Sequence, residues 1–124
     1  MIEIHPIRDK DELLYLYFSA DLVMNDSSIA VVASDGDEII GYCLFDLNKD
    51  NLVITSLQPI DDIMLADGIL RAALHVGVEN FVTTAFYCEN LDGDIFAKLG
   101  FIKNADTREL NVSKLFSSCE NCKK

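Results

Sequence analysis

The run Asp94-Ile95-Phe96-Ala97-Lys98-Leu99-Gly100-Phe101 constrains this chain more than any other stretch. It reads as a short apolar helix that stops on Gly100 and turns at once into an aromatic that begins a strand. Glycine just past the last helical residue ends helices because it enters the left-handed region without a Cβ penalty. A helix end and a strand start are therefore fixed to one peptide unit.

Upstream, Ile2 to Ile7 reads as a strand, and Asp9 with Glu12 three residues on forms a capping box. The helix it opens runs through Leu13, Leu16 and Tyr17 to about Val23. Ile29 to Ala33 and Glu38 to Leu47 are strand-like, joined by Ser34-Asp35-Gly36-Asp37, where Asp-Gly is a hairpin signal. Leu52 to Leu57 is a further strand, ended by Pro59. Asp61 or Asp62 then caps a long helix with Leu65, Ile69, Ala72, Ala73 and Val76 on one face. Asp67, Arg71, His75 and Glu79 recur on its other face, and Asp67 to Arg71 is a helix-supporting ion pair. Phe81 to Cys88 is a strand suited to burial on both faces. The short helix spans Asp92 to Leu99, Phe101 starts a strand, and Arg108 to Phe116 is the last one. Three antiparallel strands followed by a βαβ crossover give an α/β chain, a mixed sheet with helices on its faces.

A chain of 124 residues with 50% hydrophobic content is enough for one core without staples. The expected division is one domain over residues 1–116 and a polar tail over 117–124. No apolar run approaches the ~18 residues that cross a bilayer, and Met1 to Arg8 lacks the basic start and apolar stretch of a signal peptide. A complete cytoplasmic protein is the expectation. Acidic residues number 21 against 10 basic, for a net charge of −11. That field repels nucleic acid and anionic membranes, which bind through Lys and Arg. It also disfavours polyanionic cofactors unless a local pocket overrides it, and its plain role is solubility.

Cys43 and Cys88 sit in apolar runs and read as core residues. Cys119 and Cys122 form a C-x-x-C in the tail. That pair is an idle reduced tail, half of a metal site completed by a partner or second subunit, or a redox pair. No metal is expected in the domain itself. There is no Gly-x-Ser-x-Gly elbow, Walker loop, His-Glu-x-x-His or dinucleotide fingerprint.

The Lys98-Leu99-Gly100-Phe101 run resembles the C-terminal signature of the GNAT N-acetyltransferase superfamily, Tyr-x-Lys-Leu-Gly-Phe, with Phe96 at the tyrosine position. The element order resembles that family over nearly the whole chain, with one helix rather than two between the first two strands. The resemblance implies a GNAT-like acyl-CoA N-acyltransferase fold of order β-α-β-β-β-α-β-α-β(β), with an open or re-formed acceptor side. Leu57-Gln58-Pro59 matches the family's Val-x-Pro-like strand end. In the loop that follows, the family carries Gln/Arg-x-x-Gly-x-Gly/Ala, whose backbone amides hold the coenzyme A diphosphate at a helix N-terminus. Without a gap the glycine positions fall on Leu65 and Asp67, with Asp62 near the arginine. In a shifted register Ala66 and Gly68 take those slots and Ile63 stands at the Gln/Arg slot.

By this resemblance the cofactor is acetyl-CoA, held by Leu57, Ile63, Ala66 and Gly68. Asp61, Asp62 and Asp67 place carboxylates near the diphosphate site, and two like charges about 4 Å apart near a surface repel by up to ~4 kcal/mol. As caps and ion-pair partners the same three have an ordinary structural role. Tyr87 is the candidate acid and Glu89 the candidate base, each also readable as strand packing and a loop carboxylate. His75 belongs to a solvated stripe, and His5 precedes Pro6 with no partner. Two functions follow as expectations. One is acetyl transfer to an unidentified small-molecule or protein amine. The other is a catalytically degenerate GNAT-fold module for ligand or protein binding. Homodimers paired through Leu110 to Phe116 are a further expectation.

Overall fold

The computed structural model of the chain describes residues 1–116. Cys119 and Cys122 therefore lie outside the described residues. Ten elements follow in order: β1 (Ile2–Ile7), α1 (Lys10–Ser19), β2 (Ser28–Asp35), β3 (Glu38–Leu47), β4 (Leu52–Gln58), α2 (Ile63–Glu79), β5 (Ala85–Tyr87), α3 (Asp94–Lys98), β6 (Ile102–Asn104) and β7 (Glu109–Leu110). They build one seven-stranded sheet in the order β1-β2-β3-β4-β5-β7-β6, so the expected mixed α/β architecture is observed. Pairing is antiparallel throughout except between β4 and β5. No helix among the described residues is long and apolar enough to cross a membrane.

Alternation along β2 distributes the helices to opposite faces. Val31 and Ala33 point to the face covered by α2, with Ile69, Leu70, Ala73 and Leu74. Ala30 and Val32 point to the other, under Leu13, Leu16 and Tyr17 of α1. Each fully buried aliphatic side chain there contributes roughly 1.5–3 kcal/mol by leaving water. Tyr17 adds a polar tie, its hydroxyl donating to the carbonyls of Ile29 (2.9 Å) and Phe45 (3.1 Å).

Helices α1, α2 and α3 end the same way. After α3, the Gly100 N–H bonds the Ala97 carbonyl and the Phe101 N–H bonds the Phe96 carbonyl, with Gly100 at φ +77°. That pair of bonds is the Schellman motif. In α1 Asp21 takes the left-handed position at φ 59°, bonding Phe18, while Leu22 bonds Tyr17. In α2 Phe81 takes it at φ 64°, bonding Val78, while Val82 bonds Gly77.

These two endings correct the sequence reading. The first helix stops at Ser19 rather than near Val23, because Asp21 reverses the chain without a glycine to announce it. The strand expected from Phe81 to Cys88 shrinks to Ala85–Tyr87, since Phe81 and Val82 are spent closing α2. The last strand shrinks too. Arg108 has φ 60°, pairing covers only Glu109–Leu110, and residues 114–116 are helical. Moreover β7 lies between β5 and β6, so its edges are already paired within the sheet rather than open to a second copy.

Candidate functional site: the cleft where β4 leaves β5

The β3–β4 register shifts where Leu44 pairs Ser56 and the next residue, Phe45, pairs Ile54. Thr55 is the extra residue, a β-bulge whose hydroxyl donates to the Leu44 carbonyl at 3.1 Å. The bulge reverses the alternation, so Leu52, Ile54 and Leu57 all reach the α2-side core despite their uneven spacing. It also stands where β4 and β5 part. Their parallel pairing covers Leu52, Val53 and Ile54 against Ala85, Phe86 and Tyr87, and a last bond joins the Cys88 N–H to the Ile54 carbonyl at 2.9 Å. Beyond it, β4 continues to Gln58 while the other chain turns away toward α3.

A cleft of about 240 Å³ fills the gap, with Leu57, Gln58 and Ile60 on one side and Leu91, Ile95 and Phe96 on the other. Asp92, Asp94 and Lys98 supply its charged groups. Next to it, Ile63, Met64, Asp67, Lys98 and Leu99 bound a second hollow at the start of α2. Lys98 lines both and is the cation they share.

Of the residues expected to hold a cofactor, Leu57 lines the cleft and Ile63 lines the neighbouring hollow. Ala66 and Gly68 do neither. Ala66 is fully buried, and a Cβ on Gly68 would stand 3.1 Å from the Ile4 side chain, so both serve the seating of α2 on the sheet. The α2 N-terminus is closed from within: the Asp62 carboxylate accepts the Leu65 N–H at 3.1 Å and its carbonyl the Ala66 N–H at 2.9 Å. A side-chain carboxylate thus takes one of the amides that would otherwise meet an anion. Asp67 pairs with Arg71 at 2.8 Å.

The two candidate catalytic residues are not brought together in the cleft. Tyr87 is buried, its ring stacked on Phe96 at 4.6 Å and 14°. Its hydroxyl lies so close over Gly93 that a Cβ there would stand 2.6 Å away. Glu89 is exposed in the loop after β5 and does not line the cleft, and His75 is exposed on α2. Sequence reasoning missed Gln58, Asp92, Asp94 and Lys98 as cleft residues. The bulge left one trace: the polar pair Thr55-Ser56 interrupts β4 and puts Leu57 out of phase with Leu52 and Ile54.

No family model matches the sequence, and a search of curated proteins gives no match. Solved structures do resemble the fold. Ribosomal-protein-alanine N-acetyltransferase from Brucella melitensis biovar Abortus superposes with a TM-score of 0.60 at 12% identity, over 85% of this chain and 93% of that one. Ribosomal-protein-S18-alanine N-acetyltransferase from Escherichia coli gives 0.59 at 11% identity, over 88% of each chain. A GNAT family acetyltransferase from Elizabethkingia anophelis with acetyl-CoA bound gives 0.55 at 14% identity, over 81% of this chain and 74% of that one. Similarity of shape at such identities speaks for architecture alone, and on that ground the chain has the fold of the GNAT N-acetyltransferase superfamily.

Proposed function

We propose that this chain is an N-acetyltransferase that moves the acetyl group of acetyl-CoA to an amine. The observation that carries the reading is the bulge-opened cleft between β4 and β5, where Leu57, Ile60, Leu91, Ile95 and Phe96 give apolar wall and Gln58, Asn90, Asp92, Asp94 and Lys98 give polar edge. Such a cleft fits a thioester arm, and one of the solved structures of the same fold holds acetyl-CoA. Lys98, at the mouth shared with the hollow beside α2, is placed to meet a diphosphate charge.

Acetyl-CoA supplies the acyl group already activated as a thioester. The residues of this chain hold and orient it. Beyond Ile54, β4 runs without β5 beside it, so the backbone near Leu57 is available to polarise a carbonyl laid in the cleft. Phe96 has no hydroxyl, and Tyr87 is stacked and buried. Rate enhancement would therefore rest mainly on proximity and orientation of the thioester. The test is release of free CoA thiol from acetyl-CoA across a panel of amines. Amine-dependent release that Leu57→Arg abolishes supports the reading; no release with any amine removes it.

A second reading has its own support. Asp62 spends its carboxylate on the α2 N-terminus, and Asp92 and Asp94 face the cleft. On those grounds the chain is a GNAT-fold module without turnover, and acetyl-CoA would not bind.

A further inference from the structure

From Leu13 to Phe18, helix α1 is apolar on all sides. Leu13, Leu16 and Tyr17 face the sheet, while Leu14 (56% exposed), Tyr15 (69%) and Phe18 (82%) face outward. A helix that is hydrophobic on every side is normally covered on every side. Beside it runs a groove of about 480 Å³ between α1 and strands β1 to β3, walled by Ile7, Tyr15, Leu16, Val32 and Ile39. The charged groups that line it are carboxylates, Asp11 and Glu12, and no Lys or Arg does so. The β2–β3 turn at its end adds Asp35, Asp37 and Glu38.

Charge decides what suits this face. Each copy of the chain carries −11, so a second copy would bring like charge to an acidic rim, whereas a cationic partner is attracted. Register decides how far that partner extends. His5 pairs Val32, Val32 pairs Tyr42 and Tyr42 pairs Gln58, so one row crosses four strands. His5 and Val32 line the groove, and Gln58 lines the cleft. Three strand spacings separate the ends, roughly 14 Å, which four or five extended residues span and a small amine does not.

We propose that the α1 groove seats a basic polypeptide segment, apolar residues interleaved with Lys or Arg, and that this segment is the acceptor whose amine reaches the cleft at Gln58. The second half of the statement rests on the acetyltransferase reading; the docking surface does not.

The test is fluorescence anisotropy with a synthetic Lys/Leu peptide bearing a free α-amine, against a Glu/Leu counterpart, with acetyl-CoA titrated in parallel. The Lys/Leu peptide should bind and the Glu/Leu peptide should not. Tyr15→Ser, and separately Asp11→Asn with Glu12→Gln, should each weaken binding about tenfold, or ~1.4 kcal/mol. Glu79→Gln, on the helix across the sheet, should leave it unchanged. Equal binding of both peptides, no binding of either, or equal loss with Glu79→Gln would overturn the docking surface. So would a doubled mass in light scattering that Tyr15→Ser restores to monomer, since a second copy would then cover the face. Peptide binding without acetyl-CoA binding removes the acceptor role and leaves the surface; the reverse removes the surface and leaves the acetyl-CoA cleft.

Discussion

The Cys88 N–H meets the Ile54 carbonyl at 2.9 Å, one residue before Thr55 bulges out of the β3–β4 register. The last tie between β4 and β5 and the bend that separates them are thus adjacent in sequence. Deleting Thr55 removes the extra residue and closes the bulge, so Leu52, Ile54 and Leu57 stay on the α2-side core in plain alternation while the bend beside β5 is lost. The expected result is a stability within about 1 kcal/mol of wild type by urea denaturation, with loss of acetyl-CoA binding. A loss as large as that of an unburied leucine, about 2–3 kcal/mol, would mean that Thr55 is not the inserted residue.

Helix endings offer a second test. Phe81 holds a left-handed φ of 64° with its side chain 93% exposed, so it strains the backbone and buries little in return. Phe81→Gly removes a left-handed penalty of roughly 1–2 kcal/mol and adds some unfolded-state entropy. A net gain of about 0.5–1 kcal/mol is expected in denaturant titrations. A loss would show that the exposed ring contributes something in solution.

Tyr87 and Gly93 should be energetically coupled. Gly93→Ala places a Cβ 2.6 Å from the Tyr87 hydroxyl and would push the ring off Phe96. The expected cost is about 1–3 kcal/mol. Without the hydroxyl the next ring atom lies 3.2 Å away, so Tyr87→Phe should recover part of that cost in a double-mutant cycle. Additive effects would place the strain elsewhere.

Alkali should unfold the protein through Tyr17. Burial pushes its hydroxyl up from 10.0 to about 12. Below pH 10 both folded and unfolded forms keep the proton and the stabilisation is complete. Between pH 10 and 12 only the unfolded form loses it, so stability falls, by roughly 2–3 kcal/mol from this group. Burial raises the Cys43 thiol as well, with the same sign. Wild type should therefore lose its advantage over Tyr17→Phe as pH climbs through that window. A constant difference between the two would contradict the assignment.

The sheet, the two long helices and their caps were legible because local signals agreed with tertiary packing. Asp9 and Asp62 cap as read, with bonds to Glu12 and Leu65, and Gly36 turns the hairpin at φ 65°. Gly100 predicted its helix end correctly for the same reason. The ends at Asp21 and Phe81 were hidden, since no glycine marks them; local bonds close both turns, and it is the next residues, Leu22 and Val82, that pack into the cores. The site was less legible than the fold. Leu57 was found from its place before Pro59, whereas Lys98 enters through the turn of α3 toward β4, which no local pattern encodes. Ala66 and Gly68 are small for the sake of helix–sheet contact, a demand that in sequence looks the same as room for a phosphate.

Calorimetric titration with acetyl-CoA, set beside free CoA and repeated on Leu57→Arg and Lys98→Glu, tests the central claim most directly. The β4–β5 cleft predicts micromolar binding that favours the acetyl form, is abolished by Leu57→Arg and is weakened about tenfold by Lys98→Glu. No heat at millimolar acetyl-CoA, or binding indifferent to both substitutions, would contradict it.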